Sequence, residues 1–431
     1  MLSVFAQAIR TPDLRTKIFF AVGMLLVYRV GAYVPTPGVD YVAIQTCVQQ
    51  VSNDSLYSLI SLFSGGALLR LSIFALGIMP YITASIILQL LTVVIPRLEN
   101  LKKEGQSGQA RITQYTRYLT LGLALLQCTG IIALARTPGQ LFRGCNEQLL
   151  PDQSIQVLLT MVLVMTAGTG IVMWLGELIT DRGIGNGMSL LIFTSIVAGF
   201  PGQLSQIVAV HGTWTLAVVL AVGLVLIMLI VLMEQAQRRV PVQYAKRMVG
   251  RKQYGGTSTY IPIKVNQAGV IPVIFASSLM YLPVLFVTLT GSTGGFARWV
   301  DTHLLRGQSV TYAAIYFSLT VFFTYFYVAI TFDSHEIADN MKKYGGFIPG
   351  FRAGKQTEQY LDYVLSRLTA VGSVYLASIA VLPLVAFASF GNAQNFVFGG
   401  TSIIIMVGVG LDTVKQIESQ LQQRSYEGFL R

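Results

Sequence analysis

Histidine and cysteine are nearly absent, with three of each in 431 residues. Cys47, Cys128 and Cys145 have no CxxC or metal-ligand spacing, which excludes a zinc scaffold, and they are too few to staple a small secreted domain. Charge is scarce as well: Asp, Glu, Lys and Arg make up only 11% of the chain, against roughly a quarter in an ordinary soluble domain. Catalytic signatures are missing, with no HExxH, no phosphate-binding GxxxxGK[ST] and no GxSxG. GVGLD at residues 408 to 412 is close to the Gly-x-Gly-Asp of intramembrane aspartyl proteases. An extra residue precedes its Asp412, however, and no second aspartate lies well inside an apolar run, so it reads as a helix end. The chain shows no energy source of its own and is expected not to be an enzyme, with no cofactor and no metal.

What the chain has is apolar sequence. Hydrophobic residues are 53% of it and fall in blocks about 20 long, the length of a membrane helix. The first block, Ile18 to Val34, follows Arg10, Arg15 and Lys17 in the charge order of a signal peptide. YVPTPG comes next in place of a small-x-small cleavage site, so we expect a retained first span, with Arg29 near its outer end snorkelling to the interface. Before it, Leu2, Phe5 and Ile9 share one helical stripe, fitting an interfacial helix or a frayed tail equally well. The run from Ser55 to Val94 is too long for one span and is broken by Gly65, Gly66, Arg70 and Pro80, which predicts a re-entrant half-helix over about Leu56 to Leu69 and then a second span. Further spans are predicted over Tyr115 to Ala135, Ile155 to Leu175, Met188 to Gly199 (stopped by Pro201-Gly202), Trp214 to Met233, Ala268 to Leu289, Val310 to Ile330, Leu368 to Ala388 and Val397 to Leu411. The expected fold is an all-α membrane protein of ten transmembrane helices.

The formal net charge of +11 follows from topology and does not require nucleic acid. With both termini cytoplasmic, 24 of the 30 Lys and Arg lie on that side, Arg29 lies in the first span, and only Arg70, Arg136, Arg143, Arg298 and Arg306 lie outside. The loop at about 234–266 is the most basic, carrying Arg238, Arg239, Lys246, Arg247, Arg251, Lys252 and Lys264 against Glu234, and its size and charge suit a docking surface. A second cytoplasmic loop, about 331–367, has mixed charge. Cys47 and Cys145 both fall on the outer side, where a bridge is chemically open; we expect free thiols.

The chain also carries a set of long words in fixed order: FSGGAL, GIMPYITASIILQLL, KKEGQSG, RITQYTRY, GIGNGMSLLIF, GVIPVIFASS, IPGFRAGKQTEQYL and YEGFLR. Together they resemble the SecY family, the protein-conducting channel of bacterial and plastid membranes, over nearly the whole sequence. The resemblance implies two inverted halves, residues 1–210 and 211–431, around a central pore; within the sequence itself, only a helix-interrupting proline in spans two and seven hints at a repeat. It implies an apolar pore ring of Ile78, Ile82, Met188, Ile192, Ile274 and Ile405, a form of hydrophobic gate. It implies a plug at about 56–69 that includes Leu59, Ile60, Phe63, Gly65, Gly66 and Leu68. Spans two, three, seven and eight would form a lateral gate with Thr83, Gln127, Ser277 and Ser278, and Arg251, Lys252 and Arg352 would dock the SecA motor or a ribosome. Implied partners are SecE and SecG subunits, signal-bearing preproteins and membrane lipids, with no DNA, in a bacterial plasma membrane or a thylakoid.

Read from the residues alone, the same features have plainer meanings. Isoleucines four apart pack any membrane bundle, a glycine pair suits any re-entrant turn, polar groups in apolar helices bond between helices, and basic loops obey the positive-inside rule. A secondary transporter with broken helices is the rival class. Against it, Arg29, Glu177 and Asp412 all fall near span ends, leaving no ionisable group at mid-membrane to couple an ion.

Overall fold

The computed structural model describes residues 7–50, 64–136, 147–244, 247–249, 252–254, 258–290, 294–305, 310–389 and 400–427. Most of them are helical. Helix α1 (Pro12–Gly31) opens with proline in its first turn and is followed by α2 (Tyr41–Gln50), whose free N–H groups at Val42 and Ala43 donate to the Asp40 carboxylate at 2.9 and 3.2 Å. Helix α3 (Met79–Val94) ends where Pro96 begins α4 (Pro96–Lys103), and the pair bends by 99°. Then come α5 (Gln106–Ala135), α6 (Ile155–Arg182) and α7 (Gly187–Gln235). Beyond the basic loop lie α8 (Ile271–Thr290), α9 (Gly295–Val300), α10 (Val310–Thr331), α11 (Ser334–Lys343), α12 (Lys355–Ser389) and α13 (Gly400–Glu427).

Among the described residues six helices are long and apolar enough to cross a membrane, or seven if α3 and α4 count as one. The Gly187–Gly202 part of α7 and the Ile271–Met280 part of α8 are shorter apolar segments of the same kind. The chain is an integral membrane protein. One apolar core runs through it, drawing Tyr28 from α1, Ile82 from α3, Ala124 from α5, Met165 from α6, Ile192 from α7, Ile274 from α8, Phe323 from α10, Leu376 from α12 and Ile405 from α13. Helix α6 packs against α1, α5 and α7, and α3 packs against α5. On the other side α8 packs on α10, and α12 on α10 and α13. These two groups meet where α8 touches α3 and α5, and again where α13 lies along α7.

The two loops expected on the cytoplasmic side fold together. Strand β1 (Gln237–Tyr244) pairs antiparallel with β4 (Ser258–Lys264) on one side and with the short β5 (Gly346–Phe347) of the next loop on the other. Between them β2 (Arg247–Val249) and β3 (Lys252–Tyr254) form a second hairpin. Inward Val240 and Val242 alternate with exposed neighbours and join Ile263, Met341, Ile348 and Leu361 in a separate small core. The basic loop is thus a built platform fixed to α11 and α12.

Several expectations from sequence are corrected. Helices α5, α6, α12 and α13 outrun the apolar spans that nucleate them, because the flanking polar segments are themselves good helix formers. Pro201-Gly202 does not stop the fifth span: the helix continues, and the only non-helical angles inside α7 are at Gly212 (φ 80, ψ 173). Pro80 does not interrupt its span but sits in the first turn of α3, where its missing N–H costs nothing. The expected half-helix does not extend to Leu69; residues 65–71 are a run of turns, with Gly65 at φ 64, Gly66 at φ 83 and even Leu71 at φ 44. Arg29 does not reach out to the interface, since its Nη1 donates to the Gly65 carbonyl at 2.9 Å.

Cys47 is disulfide-bonded, against the expectation of a free thiol, and Cys145 lies outside the described residues. A disulfide needs its two cysteines close in space, a distance that the sequence does not carry. Cys128 is a free, buried thiol. Alkylation of the unfolded, unreduced chain is expected to label Cys128 and to spare Cys47 until a reductant is added. Peptide masses showing Cys47 modified without reductant would refute the bond.

Candidate functional site

The seam between the two helix groups is built by a repeated word. Residues 77–85 read GIMPYITAS and residues 269–277 read GVIPVIFAS, a shared Gly-[Ile/Val]-x-Pro-x-Ile-x-Ala-Ser. In each, the glycine takes a left-handed angle (Gly77 φ 54, Gly269 φ 62), and the proline falls in the first turn of the helix that follows. Ile82 and Ile274 therefore occupy the same place, five residues after the glycine, on α3 and α8. The same match pairs Ile78 with Val270, a buried residue against which Gly408 of α13 packs so closely that a Cβ there would collide with it. Reasoning from sequence missed Val270, although the internal match was visible.

GIGNGMSLLIF positions the third contributor. Gly185 has φ 84, and the Asn186 side chain accepts from the N–H groups of Met188 at 3.0 Å and Ser189 at 3.3 Å, capping α7. The Gly187 N–H donates to Thr180 Oγ1 at 2.9 Å, and a Cβ on Gly187 would run into the Gly176 carbonyl, so only glycine allows this approach to α6. Met188 and Ile192 are thereby turned toward the seam. A cavity of about 400 Å³ opens there, with Ile82, Met188, Ile192 and Ile274 in its apolar wall. Its other wall is polar and includes Thr113, Arg117, Glu177 and Asp181. Arg117 Nε donates to Glu177 Oε1 at 2.8 Å and its Nη1 to Gln114 at 2.9 Å, an ion pair between α5 and α6 that the sequence did not reveal. Four of the six expected ring residues share this cavity. Ile78 and Ile405 are buried in the same core but do not line it.

The turns after Gly65 are strapped to the end of α1. The Thr36 N–H donates to the Leu71 carbonyl and the Ile73 N–H to the Val34 carbonyl, both at 3.0 Å. Phe74 stacks on Tyr28, and a Cβ at Gly31 would strike its ring. Gly65 and Leu68 are buried, and the Ser64 hydroxyl accepts from the Leu68 N–H at 3.2 Å. Leu59, Ile60 and Phe63 lie outside the described residues.

The polar groups of the seam do not bond across it as expected. Thr83 donates to Met79 O at 3.0 Å and Ser277 to Ile274 O at 2.9 Å, each inside its own helix. Gln127 Nε2 and Ser278 Oγ, on residues 1% and 2% exposed, have no hydrogen-bond partner among the described residues. Such groups are costly in a low-dielectric interior, so this seam is less stable than its packing suggests.

Arg352 is exposed on a shaped turn. Gly350 at φ 89 and Gly354 at φ 103 bracket it, its N–H donates to Gln356 Oε1 at 3.2 Å, and its carbonyl accepts from Thr357 Oγ1 at 3.0 Å. Phe351 packs its ring 4.2 Å from that of Tyr360. Lys252 opens strand β3 of the small hairpin, and Arg251 lies outside the described residues.

A helical membrane bundle with a seam between two helix groups, a turn-built segment at the end of α1 and a folded platform made by its loops is the architecture of a protein-conducting channel. A solved structure described as that of a protein conducting channel matches with a TM-score of 0.63 at 17% identity, covering 94% of this chain and 91% of that one. The canine Sec61 of a ribosome-channel complex from the endoplasmic reticulum matches at 0.60 and 17% identity, with the same shares covered. At such identity these establish the fold. The SecY family model matches residues 72–414. Curated relatives called protein translocase subunit SecY are 63% identical in Streptomyces scabiei and 58% identical in Mycobacterium tuberculosis, each over the full length of both chains. The chain belongs to the SecY family.

Replacing an unmatched buried donor by an apolar group of similar volume relieves its desolvation. Gln127→Met is expected to stabilise the solubilised chain by about 1 kcal/mol. Thermal unfolding would check this, and a loss of stability would mean the amide has a partner in the native state.

Proposed function

We propose that this chain is the pore-forming subunit of a bacterial protein translocase, conducting unfolded polypeptides across the membrane and releasing apolar helices sideways into lipid. The observation that carries the reading is the pair of matched helix starts, which set Ile82 and Ile274 on opposite sides of the seam, in one cavity wall with Met188 and Ile192. A ring of branched apolar side chains solvates ions poorly yet yields to a passing chain. Ile78 and Ile405 complete the ring in this reading. The segment at 56–69 seals it from outside as a plug. The gate is the contact of α8 with α3 and α5, and its unmatched Gln127 and Ser278 favour exchange with an arriving signal sequence over a locked seam.

Ten spans follow if α1, the two parts of α7, the α3–α4 pair and α8 all cross with the remaining long helices. Both termini are then cytoplasmic, and residues 1–210 and 211–431 are inverted halves related by the Gly-x-x-Pro words. The family match and the Streptomyces and Mycobacterium relatives favour a bacterial plasma membrane. The chain itself performs no catalysis. Energy comes from a cytoplasmic partner, the SecA ATPase or a ribosome, docking on Arg251, Lys252 and Arg352, with SecE and SecG as membrane partners.

Two measurements test this. In proteoliposomes containing the chain, its membrane partners, SecA, ATP and a signal-bearing preprotein, Arg352→Glu is expected to cut protease-protected preprotein at least tenfold while insertion stays normal; full protection would remove the docking role. Ile82→Ser with Ile274→Ser is expected to raise resting ion leak severalfold, and an unchanged leak would rule the ring out.

A further inference from the structure

Arg29 lies in the last turn of α1 and ties three parts of the outer side together. Its Nη1 donates to the Gly65 carbonyl at 2.9 Å, its Nη2 to the Tyr33 hydroxyl at 3.3 Å, and its Cζ stands 5.1 Å from the Tyr33 ring centroid. Arg70, at the far end of the glycine turn, stands over the same ring, its Cζ 4.0 Å from the centroid. One phenol thus serves two guanidinium groups that come from either side of the turn. Gly65 itself has no room: a Cβ there would come within 2.7 Å of Arg29 Nη1 and 3.3 Å of the Cα of Ser195 in α7. The preceding residue, Tyr28, is fully buried and shares a 2.8 Å hydrogen bond with the Ser195 hydroxyl. Consecutive residues of α1 therefore hold α7, one turn beyond Ile192, and the peptide that leads into the 56–69 segment.

We infer that Arg29 is a latch on the plug: its bond to the Gly65 carbonyl, braced by Tyr33 and Arg70, holds the base of that segment against α7 while the channel is closed. The inference rests on reading residues 56–69 as a plug. A carbonyl at a left-handed glycine has no helical partner, so in a water-poor site it stays put only while a donor meets it. A guanidinium fork can serve that carbonyl and the phenol at once, which an ammonium on a single stem does in a less fixed geometry. Crowding of two like charges on one ring opposes the latch and keeps it releasable. Water entering as the ring opens would replace Arg29 at the carbonyl, freeing Gly65 and Gly66 to turn.

The test uses the full chain with its membrane partners in sealed liposomes, comparing Arg29→Gln, Arg29→Lys, Tyr33→Phe and a deletion of residues 56–63. Two readouts are taken: resting halide leak, and transport of a preprotein with a crippled signal sequence. Arg29→Gln is expected to raise both roughly tenfold, the scale of losing a hydrogen bond from a charged donor. Arg29→Lys should restore most of the seal, Tyr33→Phe should give a smaller rise, and the deletion should set the upper limit. A leak in the deletion with Arg29→Gln at the parent level overturns the latch and leaves the plug standing. No leak in the deletion removes the plug and the latch with it. If Arg29→Gln fails to assemble, Tyr33→Phe decides, and parent-level leak and signal dependence in it overturn the inference.

Discussion

A polypeptide backbone inside a membrane must find every hydrogen-bond partner within the protein, and most of what is unusual in this chain follows from that constraint. Helices meet it by themselves. A channel also needs non-helical chain at membrane depth, and each such stretch here is held by specific groups. Residues 64–78 use left-handed glycines to turn, backbone bonds to Val34 and Thr36 to anchor, and the Arg29 fork to cover an otherwise unmatched carbonyl. The turn between α6 and α7, at the ends of their spans, is held by Asn186 and Thr180 with the same chemistry. Glycine is required where a turn must pass close to another backbone, as at Gly187 and Gly65, because any Cβ would force the elements apart.

The matched starts of α3 and α8 solve a related problem. A helix that ends inside the protein exposes its first N–H groups, and a proline in the first turn removes one of them while fixing the entry angle. Repeating that device in two parts of the chain gives two helices whose inward isoleucines fall in equivalent places, Ile82 and Ile274. The symmetric constriction proposed above would then need no long-range tuning, because local helix-start chemistry sets the place of each side chain. In the proposed ring, the apolar character of that wall would exclude ions by leaving them unsolvated, and the seal would depend on the width of the opening.

Much of this was legible in the sequence because membrane patterning is strong and local. The apolar blocks, the basic bias of one side and the shaped turn at Arg352 are all properties of neighbouring residues. What was hidden depended on distance in space. Proline was read as an interruption at Pro80 and a stop at Pro201, since a residue type does not say whether it opens a helix or lies within one. The Cys47 bond and the Arg117–Glu177 pair needed the separation of loops and helices. Arg29 looked like a snorkelling residue because its acceptor is a backbone carbonyl, and no side-chain pattern advertises one. Val270 was the exception, present in the repeated word and overlooked because the isoleucines drew attention first.

In the gate proposed above, the balance of these terms lets the seam both close and open. Apolar burial along α3, α5 and α8 favours closure, while the unmatched Gln127 amide and Ser278 hydroxyl each oppose it by an amount comparable to a lost hydrogen bond, about 1 to 3 kcal/mol. A fully apolar seam would lack that opposing term and would resist separation by any single inserted helix. A seam bonded across its width would need an incoming helix to supply matching polar groups, which apolar signal sequences do not carry. Unmatched groups avoid both outcomes: water or an inserting backbone can satisfy them, so opening recovers a cost that closure imposes. In that proposal the two residues that limit the stability of the seam are also the ones that make it responsive.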